Sequence, residues 1–149
     1  MHNFVSVFNV KKGKNVKIKQ PCNLYNCSLG DDVFVGPFVE IQKNVMVGDR
    51  VRIQSHSFIC ELVTIGSDCF IGHGVIFTND KFSDGSPARG DVDKYAKTNI
   101  SERVYIGSGA VILPVAICSD VVIGAGAVVT RDILQPGKYV GNPAKRLSE

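Results

Sequence analysis

A small aliphatic residue returns every six positions along most of this chain, often with Gly directly after it. The beat runs Leu29-Gly30, Val35-Gly36, Ile41, Val47-Gly48, Ile53, Ile59, Ile65-Gly66 and Ile71-Gly72, and it resumes at Ile106-Gly107, Ile112, Ile117 and Ile123-Gly124. This period is too short for a pair of helices and too regular for an ordinary sheet, so it predicts a solenoid of very short strands. With three hexads to a turn, equivalent positions recur after about 18 residues. Leu29, Val47 and Ile65 then stack, as do Val35, Ile53 and Ile71, and the pair Ile41 and Ile59. The fifth position of a hexad is again small or apolar, as at Val33, Val39, Val45, Val51, Val63, Val75, Ala110 and Ala127. Gly, Asp and Asn crowd the corners between, where tight turns need positive φ or local side-chain hydrogen bonds. No single strand of this kind buries its apolar side alone. Stacking buries a continuous inner column and pairs backbone groups between rungs.

The beat is disturbed in three places. Val10, Val16 and Cys22 keep the spacing, but the segment from Asn23 to Ser28 then needs one extra residue before Leu29. That predicts a bulged first coil, with Phe4, Val5 and Phe8 closing the end of the core. From Thr78 to about Ser101 there is no hexad, only a polar, turn-rich run containing Ser83-Asp84-Gly85-Ser86-Pro87 and Arg89-Gly90-Asp91. Long loops inside compact domains are usually functional. Phe82 and Tyr95 give this one apolar anchors, which predicts an ordered loop folded against a neighbouring subunit or over a site. The third disturbance is a shortened hexad, with five residues from Ile112 through Ala116 before Ile117. The coils are predicted to end near Val129. A return segment over about 130–149 follows, extended and turned by Pro136 and Pro143, with a helical stub from Ala144 to Ser148. All 149 residues form one domain.

Composition narrows the function. A net charge of +3 is modest. The lysines at 11, 12, 14, 17 and 19 alternate in part with Val16 and Ile18, as in a half-solvated strand. This favours an anionic small ligand over nucleic acid as partner. Met1-His2-Asn3 leads into Phe4-Val5 without a leader pattern, and no run is long and apolar enough for a membrane span. The five cysteines are odd in number and form no metal knuckle. The expected setting is the reducing cytoplasm.

Of the three histidines, His2 lies in the start and is spare. His56 and His73 stand nearly one coil apart and fall at the same corner of successive coils. They are either two exposed turn histidines or the lining of an amine-binding cleft. No Cys or carboxylate completes a metal set with them, so no metal is expected. Asn79 and Asp80 open the loop one corner later, either as a simple turn or as site residues. Glu40 and Gln42 flank Ile41 and point outward. Glu61, placed one coil from His73, is a candidate partner for it.

The hexads, with the run from Val122 to Val129 and the ending Gly141-Asn142-Pro143-Ala144, resemble the bacterial transferase hexapeptide family. That resemblance implies an all-β, left-handed parallel β-helix with one external loop, assembled as a homotrimer and transferring acyl groups from acyl-CoA. The run from Gly72 to Asp80 (GHGVIFTND), the later Thr98 and the run from Val35 to Gln42 are similar to the N-acetyltransferases of nucleotide-linked 3-amino sugars. This narrower resemblance implies an acetyl-CoA-dependent enzyme acting on a dTDP- or UDP-linked 3-amino-3-deoxy sugar for surface polysaccharide synthesis, such as lipopolysaccharide. Under it, His73, Asn79, Asp80 and His56 are the catalytic candidates. Glu40, Gln42, Glu61, Phe77 and Thr78 are the sugar contacts. Acyl-CoA is expected along the outside of the C-terminal coils between subunits, on Gly107, Ser108, Ala125 and Gly126, with Lys138, Lys145 and Arg146 meeting phosphates. O-acetylation of a sugar or other small hydroxyl acceptor, and a non-enzymatic β-helix scaffold, stand as alternatives. A metal-dependent hydratase on the same scaffold needs three histidines in register, and only two are present at that corner.

Overall fold

The computed structural model describes residues 7–148. Short parallel strands wind into a three-faced solenoid. Face A holds seven strands, face B six and face C eight. The stacked columns follow the hexad beat: Leu29, Val47 and Ile65 share a register on face B, Val35, Ile53 and Ile71 on face C, and Ile41 and Ile59 on face A. All eight of these side chains are buried, as are the named fifth-position residues. Each fully buried Val or Ile contributes about 1.5–3 kcal/mol, so the inner column is the main source of stability. Ser57 takes a fifth position as a polar residue. It stays buried because its hydroxyl donates to the Gly72 carbonyl (2.7 Å) and accepts from the Val75 N–H (3.1 Å).

The corners obey one rule. The fourth residue of a hexad adopts positive φ, whether Asp32, Arg50 and Asp68 between faces B and C, or Phe38, His56, Gly74, Gly109 and Gly126 between faces C and A. The B-to-C corner is laced by charge. Arg50 meets Asp68 at 2.7 Å, and Arg103 meets Asp120 at 2.7 Å.

Four expectations are corrected. The early coil has no extra residue. Leu24, not Cys22, is the core residue of face A, paired with Val7 and Ile41, and the step from Leu24 to Leu29 is one residue short. It is the same shortening as at Ile112 to Ile117. Phe8 does not close the core, because it points outward and is 60% exposed; Phe4 and Val5 lie outside the described residues. Finally, the winding does not stop at Val129. Ile133 bridges Ile117 in parallel, and Gly137–Val140 pairs with Val121–Ile123, adding a further turn. There is no helical stub over 144–148. Lys145–Arg146 folds back as an antiparallel strand on Gly137–Val140. The charged pair at that edge discourages strand addition from another chain.

The insertion leaves between Ile76–Phe77 on face A and Thr98–Ile100 on face B. Its neck is closed by an antiparallel bridge between Asp80 and Tyr95 and by the Ala96 N–H donating to the Asn79 carbonyl (2.8 Å). Thr98 then takes a core position between Val63 and Val115, fully buried, and its hydroxyl finds no hydrogen-bond partner among the described residues. Thr98→Val removes that unsatisfied group with little change of shape. It is expected to stabilise the fold by about 1 kcal/mol, read as a higher urea midpoint.

Acid should weaken the charged corner. Hydrogen bonds from Arg50 and Arg103 hold Asp68 and Asp120 below the ordinary carboxylate range. A depressed carboxylate contributes stability that is present above its unfolded value, about 3.9. That contribution is lost as pH falls through the folded value. The urea midpoint is therefore expected to hold steady near neutrality and to drop below about pH 4. The Asp68→Asn, Asp120→Asn double variant should show a shallower drop.

Candidate functional site

Two regions carry the predicted site residues, at opposite ends of the face A strand Ile76–Phe77. The first is a cavity of about 750 Å³ beneath the inserted loop. Phe58, Cys60, Ile76, Leu113 and Pro114 give it apolar walls, and Phe82 and Tyr95 reach it from the loop. Gln42, Asn79 and Asp80 supply polar edges. Phe77 is fully buried in the core column, so it meets the cavity only as its floor, and Thr78 lies beside it.

The polar edge is a connected network. The Gln42 amide donates to Glu40 (3.1 Å) and accepts from the Glu61 N–H (3.2 Å). The Asn79 amide donates to the Glu61 carbonyl (3.1 Å), tying the loop to the coil before it. One Glu61 carboxylate oxygen lies 3.9 Å from Lys43, and the other is buried without a hydrogen-bond partner among the described residues. Burial, then the charges of Glu40 and Glu61, push the Tyr25 phenol upward, against a hydrogen bond with Gln42. An orphaned buried carboxylate oxygen is an acceptor waiting for a donor.

Asp80 is placed differently from a free base. Its two carboxylate oxygens accept the N–H groups of Phe82 (3.0 Å) and Ala88 (2.7 Å). It therefore shapes the loop over the cavity. Glu61 is not a partner of His73, because the two stand at different corners. Glu61 follows the face A strand Phe58–Ile59, whereas His73 follows the face C strand Phe70–Ile71.

The second region is the C-to-A corner. His56 and His73 are both exposed there, on successive coils, as the spacing required. His56 stacks on Phe38 one coil earlier, with ring centroids 4.9 Å apart. The His73 N–H donates to the Ser108 hydroxyl one coil later (3.3 Å). Beyond His73 the corner changes character. The left-handed position, held by Phe38 and His56 early on, becomes Gly74, Gly109 and Gly126, with open space where a Cβ would stand. Gly107-Ser108 and Ala125-Gly126 stack along this bare edge, and the Gly126 N–H donates to the Ser108 carbonyl (2.9 Å). The edge runs toward the terminal hairpin, where Lys138 and Arg146 line a second cavity of about 730 Å³. Arg146 is partly committed, donating to the Pro136 carbonyl at 2.9 Å. Lys145 is exposed on the hairpin edge.

Burial pushes the thiols of Cys27 and Cys69 up to about 11 and that of Cys60 up to about 12. Among the described residues, no group of three or more His, Cys, Asp or Glu side chains is placed to hold a metal ion, and no helix is long and apolar enough to cross a membrane. The cavity walls at Phe58, Ile76 and Leu113 were not anticipated. The available signal for Phe58 and Ile76 was an apolar residue at an outward position just before the core residue, as in Phe58-Ile59.

Comparison with known proteins gives a consistent set. The bacterial transferase hexapeptide repeat matches residues 26–61, and the hexapeptide repeat of succinyl-transferase matches residues 98–131. A Schizosaccharomyces pombe protein named an acetyltransferase is 54% identical over 48 residues, covering 32% of this chain and only 23% of the relative. A point variant of AntD, an N-acyltransferase from Bacillus cereus in complex with dTDP and coenzyme A, superposes with a TM-score of 0.83 at 24% identity, covering 95% of this chain and 83% of that one. PerB from Caulobacter crescentus, in complex with CoA and GDP-perosamine, superposes with a TM-score of 0.67 at 23% identity, covering 95% of this chain and 57% of that one.

Proposed function

We infer, for a chain whose coils belong to the bacterial transferase hexapeptide repeats, that it moves an acetyl group from acetyl-CoA to the amine of a nucleotide-linked amino sugar. The carrying observation is the C-to-A corner. There a histidine stands where side chains give way to bare glycine backbone, and that edge leads to a basic hairpin. Such an edge suits a long, amide-bearing thiol ester with phosphates at its far end. The pantetheine arm lies against Gly107, Ser108, Ala125 and Gly126, and Lys138, Lys145 and Arg146 meet the phosphates. AntD and PerB both hold CoA and a nucleotide or nucleotide sugar, which supports this reading.

The acceptor sugar occupies the cavity beneath the loop. Gln42, Asn79 and the Glu40–Glu61 network address its hydroxyls and amine, while Phe58 and Ile76 cover its apolar side. The uncharged amine attacks the thioester carbonyl, the C–N bond forms, the C–S bond breaks, and the thiol leaves. The amine proton passes by way of His73 or water to the departing sulfur, which is thereby released as the free thiol. His56 and Thr78 serve as flanking contacts, and Asp80 shapes the loop. The GHGVIFTND run favours the 3-amino position, for surface polysaccharide synthesis, and the active assembly is a homotrimer. Thiol release from acetyl-CoA is the test. It is expected with an amino-sugar nucleotide and absent with the matching hydroxyl sugar. Release with the hydroxyl sugar alone would overturn N-transfer in favour of O-transfer.

A further inference from the structure

The N-terminal end of the solenoid differs in charge from the coils above it. Its first coil supplies the end strand of each face: Val7–Phe8 on face A, Lys11–Lys12 on face B and Lys17–Ile18 on face C. Five lysines, at 11, 12, 14, 17 and 19, stand in this coil, which contains no acid, and residues 1–6 add none. They outweigh the whole net charge of +3, so the rest of the chain is slightly acidic. All five are exposed. Arg50, Arg103, Lys43 and Lys94 each meet a carboxylate, whereas none of these five forms an ion pair among the described residues.

Their placement follows the rim of a three-sided end. Lys11 and Lys17 take the outward positions of their strands. Lys14 lies in the B-to-C corner, and Lys19 opens the C-to-A corner. Lys12 takes the column position next to Leu29 and is nonetheless exposed. Phe8 stands on the third side, 60% exposed. A guard against strand addition needs charge at the open end of the column, which Lys12 supplies. It does not call for Lys14 and Lys19 at the corners.

We propose that this end docks on an anionic lipid bilayer, with the lysine ammonium groups against the headgroups and Phe8 at the interface. Charge and shape select the partner. A bilayer is a broad negative plane, and each Lys near it strengthens binding roughly fivefold. Lysines spread around one end meet that plane together. Interfacial binding also grows with buried apolar area, which the Phe8 ring provides. Nucleic acid fits less well. A duplex is read by a helix or two-stranded ribbon that enters a groove, and a single strand by several stacking aromatics. The first coil holds one aromatic ring. Docking leaves both cavities open, since the residues lining the cavity beneath the loop begin at Gln42 and those lining the second at Gly137.

Vesicle co-sedimentation tests this surface. The probes are vesicles of phosphatidylcholine alone and of phosphatidylcholine mixed equally with phosphatidylglycerol, at low and high salt. The parent protein should pellet with the mixed vesicles at low salt, remain in solution with phosphatidylcholine alone, and be largely released by high salt. Lys11→Gln with Lys17→Gln should weaken binding about 20-fold, and Phe8→Ser should weaken it severalfold. Lys138→Gln with Lys145→Gln removes the same charge from the opposite end and should bind as the parent does. Melting curves by circular dichroism that match the parent establish that each variant is folded. A parent protein that does not pellet with the mixed vesicles overturns the proposal. So does an equal loss of binding in the two double variants, which would mark a response to net charge alone. A parent protein that ignores vesicles but retards a single-stranded oligonucleotide on a gel, when the Lys11 and Lys17 variant does not, would reassign the surface to nucleic acid.

Discussion

Phe77→Ala is expected to lower stability by about 3–5 kcal/mol, the larger of the two effects developed here. Phe77 is fully buried in the face A column, directly between Ile59 and Ile112. It is the bulkiest residue in a column otherwise built from Leu, Ile and Val, so alanine leaves a void that the neighbouring rungs cannot close. A domain of this kind has about 5–15 kcal/mol in total, so the variant should be close to unfolding at ambient temperature. Its position sharpens the effect. A solenoid holds together through contacts between adjacent coils, and Phe77 joins the coils before the insertion to those after it. The melting curve followed by far-ultraviolet circular dichroism should shift downward and broaden as the two halves uncouple. Phe77→Leu, which places in this column the residue type already present at Leu24, should lose much less. An alanine variant melting with the parent protein would mean that the column is not tightly packed there.

Asp80→Ala should leave the coils intact and cripple the site. The carboxylate holds two backbone N–H groups of the loop, those of Phe82 and Ala88. Hydrogen bonds to a charged group contribute about 1.5–3 kcal/mol each, so losing both is expected to reduce kcat/KM about 100-fold or more. Trypsin reports the same event independently, because Lys81, Arg89, Lys94 and Lys97 all lie in the loop. Cleavage there should accelerate while the urea midpoint of the whole protein barely moves. Asp80→Asn separates the loop-shaping role from a proton-accepting one. It keeps one acceptor oxygen, so it should retain intermediate activity with an unchanged pH profile. Full inactivation of the asparagine variant, with slow tryptic cleavage, would make Asp80 a base.

The stacked columns were legible because an inward residue every sixth position has no other structural use. Leu29, Val47 and Ile65 announce their register by spacing alone. The early coil was misread because Cys22 continues the beat numerically, although it is a buried fifth-position residue and Leu24 is the strand residue. The last turn escaped notice because Pro136 and Gly137 break the pattern, while pairing to Val121–Ile123 restores it in space. The places of Asn79, Gln42 and the two histidines in the coils were recoverable from their hexad positions. The contacts of Asp80 and Glu61 were not, since they depend on how a long insertion folds back and on which corner each residue occupies.

The most direct test of the central claim is thiol release from saturating acetyl-CoA against dTDP- and UDP-linked 3-amino and 4-amino sugars, with the product analysed for the acetylated nitrogen. The account predicts turnover confined to a 3-amino sugar, with the new amide at that position. The absence of thiol release with every amino sugar in the panel would contradict it.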